Sequence, residues 1–394
     1  MKSTIYYDFE QEKWFHKDSD FSYTFGKNAI SLPFSEAKQS CLSFSVIKKG
    51  NQLGPLIGIV ISDSTVRQLL KGYKRNFEQI HRELKSLGGI CIVFTAGNVQ
   101  TNKIHGYVFS DEKKQWIHVK VPLPDIVYNR IKTRKDEQTA DIQHFFQFLQ
   151  QNNIPYFNPS FFTKWQLYQI LNSNKMLRPY LPATLRISSF NDLVTMLNTY
   201  GHIYMKPNEG HKGKGIFTLQ LNREQHTVVF SNMKHERTFG NITTLFKLYD
   251  LDKYIAQQAI HSDTIHGKRY DLRILAHYQN NSFVISGIGI RQSINQEITT
   301  HIPNGGRLIP YEFVKEKIDE SLLQHIIVQC GKTLSAHLGL IGEFSLDLGQ
   351  TPDGHCYIYE LNSKPMIFDE PEIQQQGTKN LIRAFHELSG FVQD

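Results

Sequence analysis

GEFSLDLGQTPDGHCYIYELNSKP, Gly342 to Pro365, reads as two strands joined by a turn at Thr351-Pro352-Asp353-Gly354, because apolar and polar residues alternate on both sides of the Pro-Asp-Gly cluster. In the first strand the alternation sends Glu343, Ser345 and Asp347 to one face and Phe344, Leu346 and Leu348 to the other. In the second it groups Cys356, Ile358, Glu360 and Asn362 against His355, Tyr357, Tyr359 and Leu361. Pairing Asp347 with either Ile358 or Glu360 brings Asp347, Glu360 and Asn362 to one face. Two carboxylates and an amide oxygen are hard ligands, suited to Mg²⁺ carrying substrate phosphates rather than to zinc or iron. An ordinary amphipathic hairpin with a solvated face alternates in the same way, so the weight of this reading comes from upstream.

PNEGHKGKGI, Pro207 to Ile216, follows a strand expected over His202 to Lys206 and precedes another over Ile216 to Leu221. Gly210, Gly213 and Gly215 let backbone N–H groups approach an anion, and Lys212 and Lys214 add positive charge. The loop fits neither GxxxxGK[ST] nor GxGxxG opening a helix. Lying between strands, it suits a flap over a triphosphate, with Lys206 aimed at the same phosphates. In KRYDLRILAHY, Asp271 and Arg273 share a strand face with Leu275, Arg291 ends the next strand, and Arg307 follows the glycine turn NGGR. Lone strand arginines are commonly halves of surface ion pairs. Several converging beside an acidic face suit a phosphoryl group and a carboxylate.

The remaining chain sets bounds on these readings. Its 394 residues exceed one core and imply two or three domains. No apolar run reaches a membrane span, and MKSTIYYDFEQEKWFHKDSD has no apolar h-region, so a cytoplasmic protein without membrane contact is expected. Cys41, Cys91, Cys330 and Cys356 are scattered and read as reduced thiols. The net charge of +7 is spread through mixed-sign runs such as IKTRKDEQ, without a nucleic-acid-binding motif, so nucleic acid is not the expected partner. His261, His266, His277 and His301 lack metal spacing and read as packing or surface residues. Residues 1–52 read as a β-rich segment and 53–155 as a small α/β domain, with strands in GPLIGIVIS and GGICIVFTA flanking a helix over Thr65 to Leu87. A further helix is expected over Asp136 to Gln151. The turn-rich junction Asn152 to Pro159 is the main expected boundary and sets off residues 156–394 as the last region.

Lys164, Lys206 with its glycine loop, the hinge-like YIAQQAI, the DLR of Asp271 to Arg273, Arg291, NGG and the hairpin ending ELNSKP fall in the order found in ATP-grasp domains, and the resemblance runs from Asn158 to Glu370. The DxR, R, NxxGG and ExN sequence is similar to ligases that join amino acids to peptides or proteins. With LPDIVYNRIKTRKDEQ and NPSFFTKWQLYQIL, the whole chain resembles the YheC/YheD family of endospore coat-associated proteins. The resemblance implies an α/β ATP-grasp fold over 156–394, two lobes of about 156–257 and 258–394 enclosing ATP, preceded by a small α/β domain and the N-terminal β-rich segment. It implies phosphate contacts from Lys164, Lys206 and the loop spanning Gly210, Lys212, Gly213, Lys214 and Gly215, and adenine contacts from Gln257 and Gln258. Asp263 would reach the ribose. Asp347, Glu360 and Asn362 would hold Mg²⁺, with Mn²⁺ as a substitute, and Arg273 and Arg291 would stabilise the transferring phosphoryl group. Related ligases carry Asn shortly before the glycine pair where this chain has His301.

The expected reaction is amide formation between a carboxylate and an amine through an acyl phosphate, on an amino acid, peptide or protein. The scattered cysteines and the lack of GxSxG argue against a protein nucleophile. The alternative is a structural or interaction protein of the spore coat, with coat proteins as partners and the fold kept without turnover.

Overall fold

The continuous apolar runs GPLIGIVIS and GGICIVFTA become the adjacent parallel strands Leu56–Val60 and Ile90–Phe94, buried at every position. Burial on both faces is why they show no alternation. In the computed structural model, which describes residues 1–36, 41–72, 75–210, 213–294 and 298–392, strand Ile126–Asn129 pairs in parallel with Leu56–Val60. The hairpin Lys103–Ser110 and Gln115–Pro122 extends the opposite edge, completing a six-stranded central sheet with Tyr156–Phe157. The helix expected over Thr65 to Leu87 is two helices, Asp63–Leu70 and Arg75–Leu87, the first closed near Gly72 at φ +74°. The one expected over Asp136 to Gln151 is likewise split, into Arg134–Glu137 and Ala140–Gln151.

The aromatic-rich N-terminal stretch forms its own six-stranded sheet. Tyr7, Trp14, Phe25 and Phe44 bury with Val60, Ile92, Phe94 and Val121 of the central sheet in one cluster. On the opposite face, Ile57, Ile59 and Tyr128 bury with Phe157 and with Leu381, Ile382 and Phe385 of the C-terminal helix Pro371–Ser389. Packing therefore crosses both of the boundaries expected at 52 and 155. The apolar faces on either side of the central sheet need cover, and each chain end shares that cover with a helix of the domain, Ala140–Gln151 on the side of the N-terminal sheet and Arg75–Leu87 on the side of the C-terminal helix.

Two antiparallel sheets follow. In the first, the strand order is Thr184–Arg186, Tyr254–Gln258, His202–Pro207, Phe217–Asn222, Thr227–Asn232 and Glu236–Phe239. Helix Phe190–Tyr200 packs on it through Leu193, Met196 and Leu197. In the second, the order is Gly306–Ile309, Ser282–Ser293, Lys268–Gln279, Glu343–Gln350 and Cys356–Asn362. Helices Glu320–Leu338 and Lys164–Ser173 cover one face of it through Ile326, Ile327 and Leu171.

The 342–365 hairpin departs from strict alternation at one point. Asp347 stands opposite Glu360 and Ser345 opposite Asn362, but Leu348 stands opposite Ile358, leaving Tyr359 as the extra residue of a bulge. Two residues then oppose one and the phase of the strand reverses. Cys356 and Ile358, expected on the face of Glu360, instead bury with Leu348 and Leu361.

Candidate active site between two sheets

A cavity of about 800 Å³ lies between the two antiparallel sheets. Asp347, Glu360 and Asn362 all line it, so the trio read from the hairpin sits on one wall. Arg291, only 4% exposed, donates from Nε to Asp271 Oδ1 at 2.9 Å and from Nη2 to Asp271 Oδ2 at 2.8 Å. The same Nη2 lies 2.9 Å from Asp347 Oδ2. Thr300 Oγ1 donates to Asp271 Oδ2 at 2.5 Å. Burial opposes the charge on Arg291, yet the Asp347 and Asp271 carboxylates outweigh it and hold the guanidinium pKa above its ordinary value. Asp347 Oδ1 is buried and has no hydrogen-bond partner among the described residues. An orphaned carboxylate oxygen beside Glu360 and an amide fits an oxygen-liganded divalent cation.

Arg273 also lines the cavity, its Nη2 donating to Met366 O at 3.1 Å and its guanidinium 4.3 Å from the Phe368 ring centroid. Arg307 does not join this group: its Nε and Nη2 donate to Gln292 Oε1 at 3.1 and 2.8 Å. Of the three arginines expected to converge, Arg291 and Arg273 line the cavity.

On the facing sheet, Lys206 Nζ donates to Gln257 Oε1 at 2.5 Å, and Gln257 Nε2 donates to Thr184 Oγ1 at 3.0 Å. Burial pushes the Lys206 pKa down to about 8, against the opposing pull of Glu360 across the cleft. Lys164 begins a helix whose start is fixed by a reciprocal Thr163–Gln166 capping box, and its Nζ donates to Gly210 O at 2.7 Å. Gln257 and Gln258 line the cavity, and Gln258 N–H is held by Ala183 O at 2.8 Å. Gly210 and Gly213 line it too, Gly213 at φ +70°, whereas Lys214 and Gly215 are exposed and do not. Lys212 lies outside the described residues.

Asp263 does not line the cavity. Its Oδ2 accepts from Tyr270 Oη at 3.0 Å and lies 2.7 Å from Lys317 Nζ, which ties up the carboxylate outside the cavity lining. Its neighbour Ser262 lines the cavity instead, 2.8 Å from Tyr359 Oη. Strict alternation places Tyr359 on the opposite face because it cannot register the bulge. His301 also lines the cleft, with Nδ1 buried and unbonded among the described residues. Lys364, two residues after Asn362, also lines the cavity, with its Nζ paired with Glu137.

Two sheets closing on a cleft, with lysines and a glycine loop on one and a carboxylate hairpin on the other, are the ATP-grasp fold. The chain is similar in structure to the D-Ala:D-Ser ligase VanG of Enterococcus faecalis, with a TM-score of 0.52 at 12% identity, covering 85% of this chain and 99% of that one. A family model described as YheC/D like ATP-grasp matches residues 153–388, and the chain belongs to that family. The endospore coat-associated protein YheD of Bacillus subtilis (strain 168) is 27% identical over 362 residues, 86% of this chain and 79% of that protein. The endospore coat-associated protein YheC of the same organism is 20% identical over 301 residues, 73% and 80% of the two chains. No helix among the described residues is long and apolar enough to cross a membrane.

Proposed function

We propose that this protein is an ATP- and Mg²⁺-dependent ligase that joins a carboxylate to an amine through an acyl phosphate, on an amino acid, a peptide or a protein. The observation that carries the reading is Asp347, fixed by Arg291 through one oxygen and left with the other unbonded beside Glu360. Lys164, Lys206 and the backbone at Gly210 and Gly213 hold the phosphates, and Gln257 and Gln258 meet the adenine edge. Mg²⁺ at Asp347, Glu360 and Asn362 would neutralise phosphate charge. A substrate carboxylate oxygen attacks the γ-phosphorus, and ADP leaves. Arg291 and Arg273 stabilise charge on the transferring group. The amine nitrogen then attacks the acyl carbon, loses a proton, and phosphate departs as the amide forms. Closure of the two sheets excludes water that would hydrolyse the acyl phosphate.

Isothermal titration with a non-hydrolysable ATP analogue, with and without Mg²⁺, tests this reading. Metal-dependent binding is expected in the wild type and a loss of at least about tenfold in Asp347→Ala/Glu360→Ala, the scale on which metal-site contacts act. No binding by the wild type would sink it. That result would favour the second reading, suggested by the coat-associated names of the two relatives, in which the fold serves assembly without turnover.

A further inference from the structure

Beyond the nucleotide-facing residues, the cleft ends at a wall that neither antiparallel sheet supplies. Arg130, Ile131, Lys132, Thr133 and Arg134, which follow the central-sheet strand Ile126–Asn129, all line it. The acidic residues close to that segment are engaged elsewhere. Glu343 is buried, accepts from Tyr128 Oη and from Arg130 Nη1 at 3.0 Å, and lies 3.4 Å from His277 Nε2. Glu137 is buried, accepts from Asn129 Nδ2 at 2.9 Å and from Phe161 N at 2.7 Å, and pairs with Lys364. Neither carboxylate lines the cleft. The acid that does stand beside Arg134 is Glu209, 71% exposed at its side chain, with Oε2 3.7 Å from Arg134 Nη1 and so outside hydrogen-bond range.

Arg134 is the group left short. Its Nη2 donates to Phe162 O at 2.7 Å, but Nε and Nη1 are buried and meet no hydrogen-bond acceptor among the described residues. Buried donors of a permanent cation are costly to leave unmet, and a carboxylate supplies what they lack. Beside the cations of this wall, Phe161 and Phe162 with Met366 and Ile367 add an apolar surface, the last two 51% and 53% exposed. A nucleotide phosphate gains nothing from such neighbours. An acidic side chain carried on a peptide gains from both parts.

We infer that this end of the cleft seats the second substrate, and that Arg134 holds a carboxylate of it other than the one that reacts, so that the substrate class is acidic amino acids and acidic peptides lying across Met366 and Ile367. The inference rests on the ligase reading for the role of that substrate, and on Arg134 and its surroundings for the chemistry.

Triglutamate and triglutamine peptides titrated into the full chain, with and without Mg²⁺ and the ATP analogue, test it beside Arg134→Gln and Arg134→Lys. The wild type should prefer triglutamate by at least about tenfold, the worth of one hydrogen bond to a charged group. Arg134→Gln should lose that preference and Arg134→Lys keep part of it, with ADP and analogue affinities unchanged and the thermal midpoint showing each variant folded. Equal affinity of the wild type for the two peptides would overturn the inference. So would an Arg134→Gln defect in binding the ATP analogue but not ADP, which would put Arg134 on the γ-phosphoryl group, or tighter binding of a short oligothymidylate than of triglutamate. Each of these leaves the ligase reading intact while metal-dependent nucleotide binding persists. A triglutamate preference that depends on Arg134 in a protein that binds no nucleotide would do the reverse.

Discussion

Lys206 carries the sharpest pH dependence at the scale of single residues. Burial favours its neutral form and Glu360 only partly restores the charge, leaving a pKa of about 8. In the free protein this costs stability below pH 8, and the cost lifts as pH rises from there towards the ordinary lysine value, because the unfolded chain then binds more protons than the folded one. A triphosphate beside the amine acts in the opposite direction and favours the ammonium. Nucleotide affinity should therefore fall as pH rises above 8, with proton uptake on binding. Titration calorimetry in buffers of different ionisation enthalpy measures that uptake. Lys206→Met should bind the ATP analogue about tenfold more weakly and lose the slope. Asp347 and Glu360 were legible as candidates because charge alternates with apolar neighbours in the hairpin, and Lys206 because it ends a strand that enters the glycine loop. The fixing of Asp263 by Tyr270 and Lys317 was not, since both partners come from other elements.

The hairpin shows what elements add. Its first strand, Glu343–Gln350, obeys a period of two throughout, whereas Cys356–Asn362 changes phase at Tyr359. The change is set across the pair, by Leu348 and Ile358 sharing a core while Asp347 and Glu360 share the cleft. Gly349 makes room for the displaced ring: a Cβ there would stand 2.1 Å from Tyr359 Oη. Gly349→Ala should displace Tyr359 and break its 2.8 Å contact with Ser262. The expected cost is about 1–3 kcal/mol of stability, as for other overpacked sites, together with weaker nucleotide binding. Denaturant unfolding and analogue titration read the two effects separately, and an unchanged midpoint would show that the ring relocates freely.

Across the whole molecule, the cleft depends on contacts between segments far apart in the chain. Glu343 joins Tyr128 and Arg130 of the central sheet to His277 of the neighbouring one, and His277 Nδ1 lies 2.7 Å from Ser286 Oγ, itself bonded to Asn380 of the C-terminal helix at 2.9 Å. Glu343→Ala leaves the half-buried Arg130 without its carboxylate, a change expected to cost somewhat less than the about 3–5 kcal/mol of a fully buried pair that loses one member. The loss should appear as a single lowered unfolding transition, because the core at Tyr128 and Phe157 includes the C-terminal helix. Separate transitions for the central sheet and the cleft would contradict that shared core.

The sequence by itself determined the parts whose cause is local. Continuous apolar runs made central strands, alternation made the first half of the hairpin, and three close glycines made a loop between strands. The two-lobed fold was legible only through the resemblance of the motif order to ATP-grasp domains. Only the tertiary structure decided the bulge at Tyr359, the exclusion of Arg307 and Asp263 from the cleft, and the arrival of Arg130 and Arg134 at its far end. Each of these depends on which residue from a distant segment answers a charge or fills a space, and such pairing leaves no period in the chain.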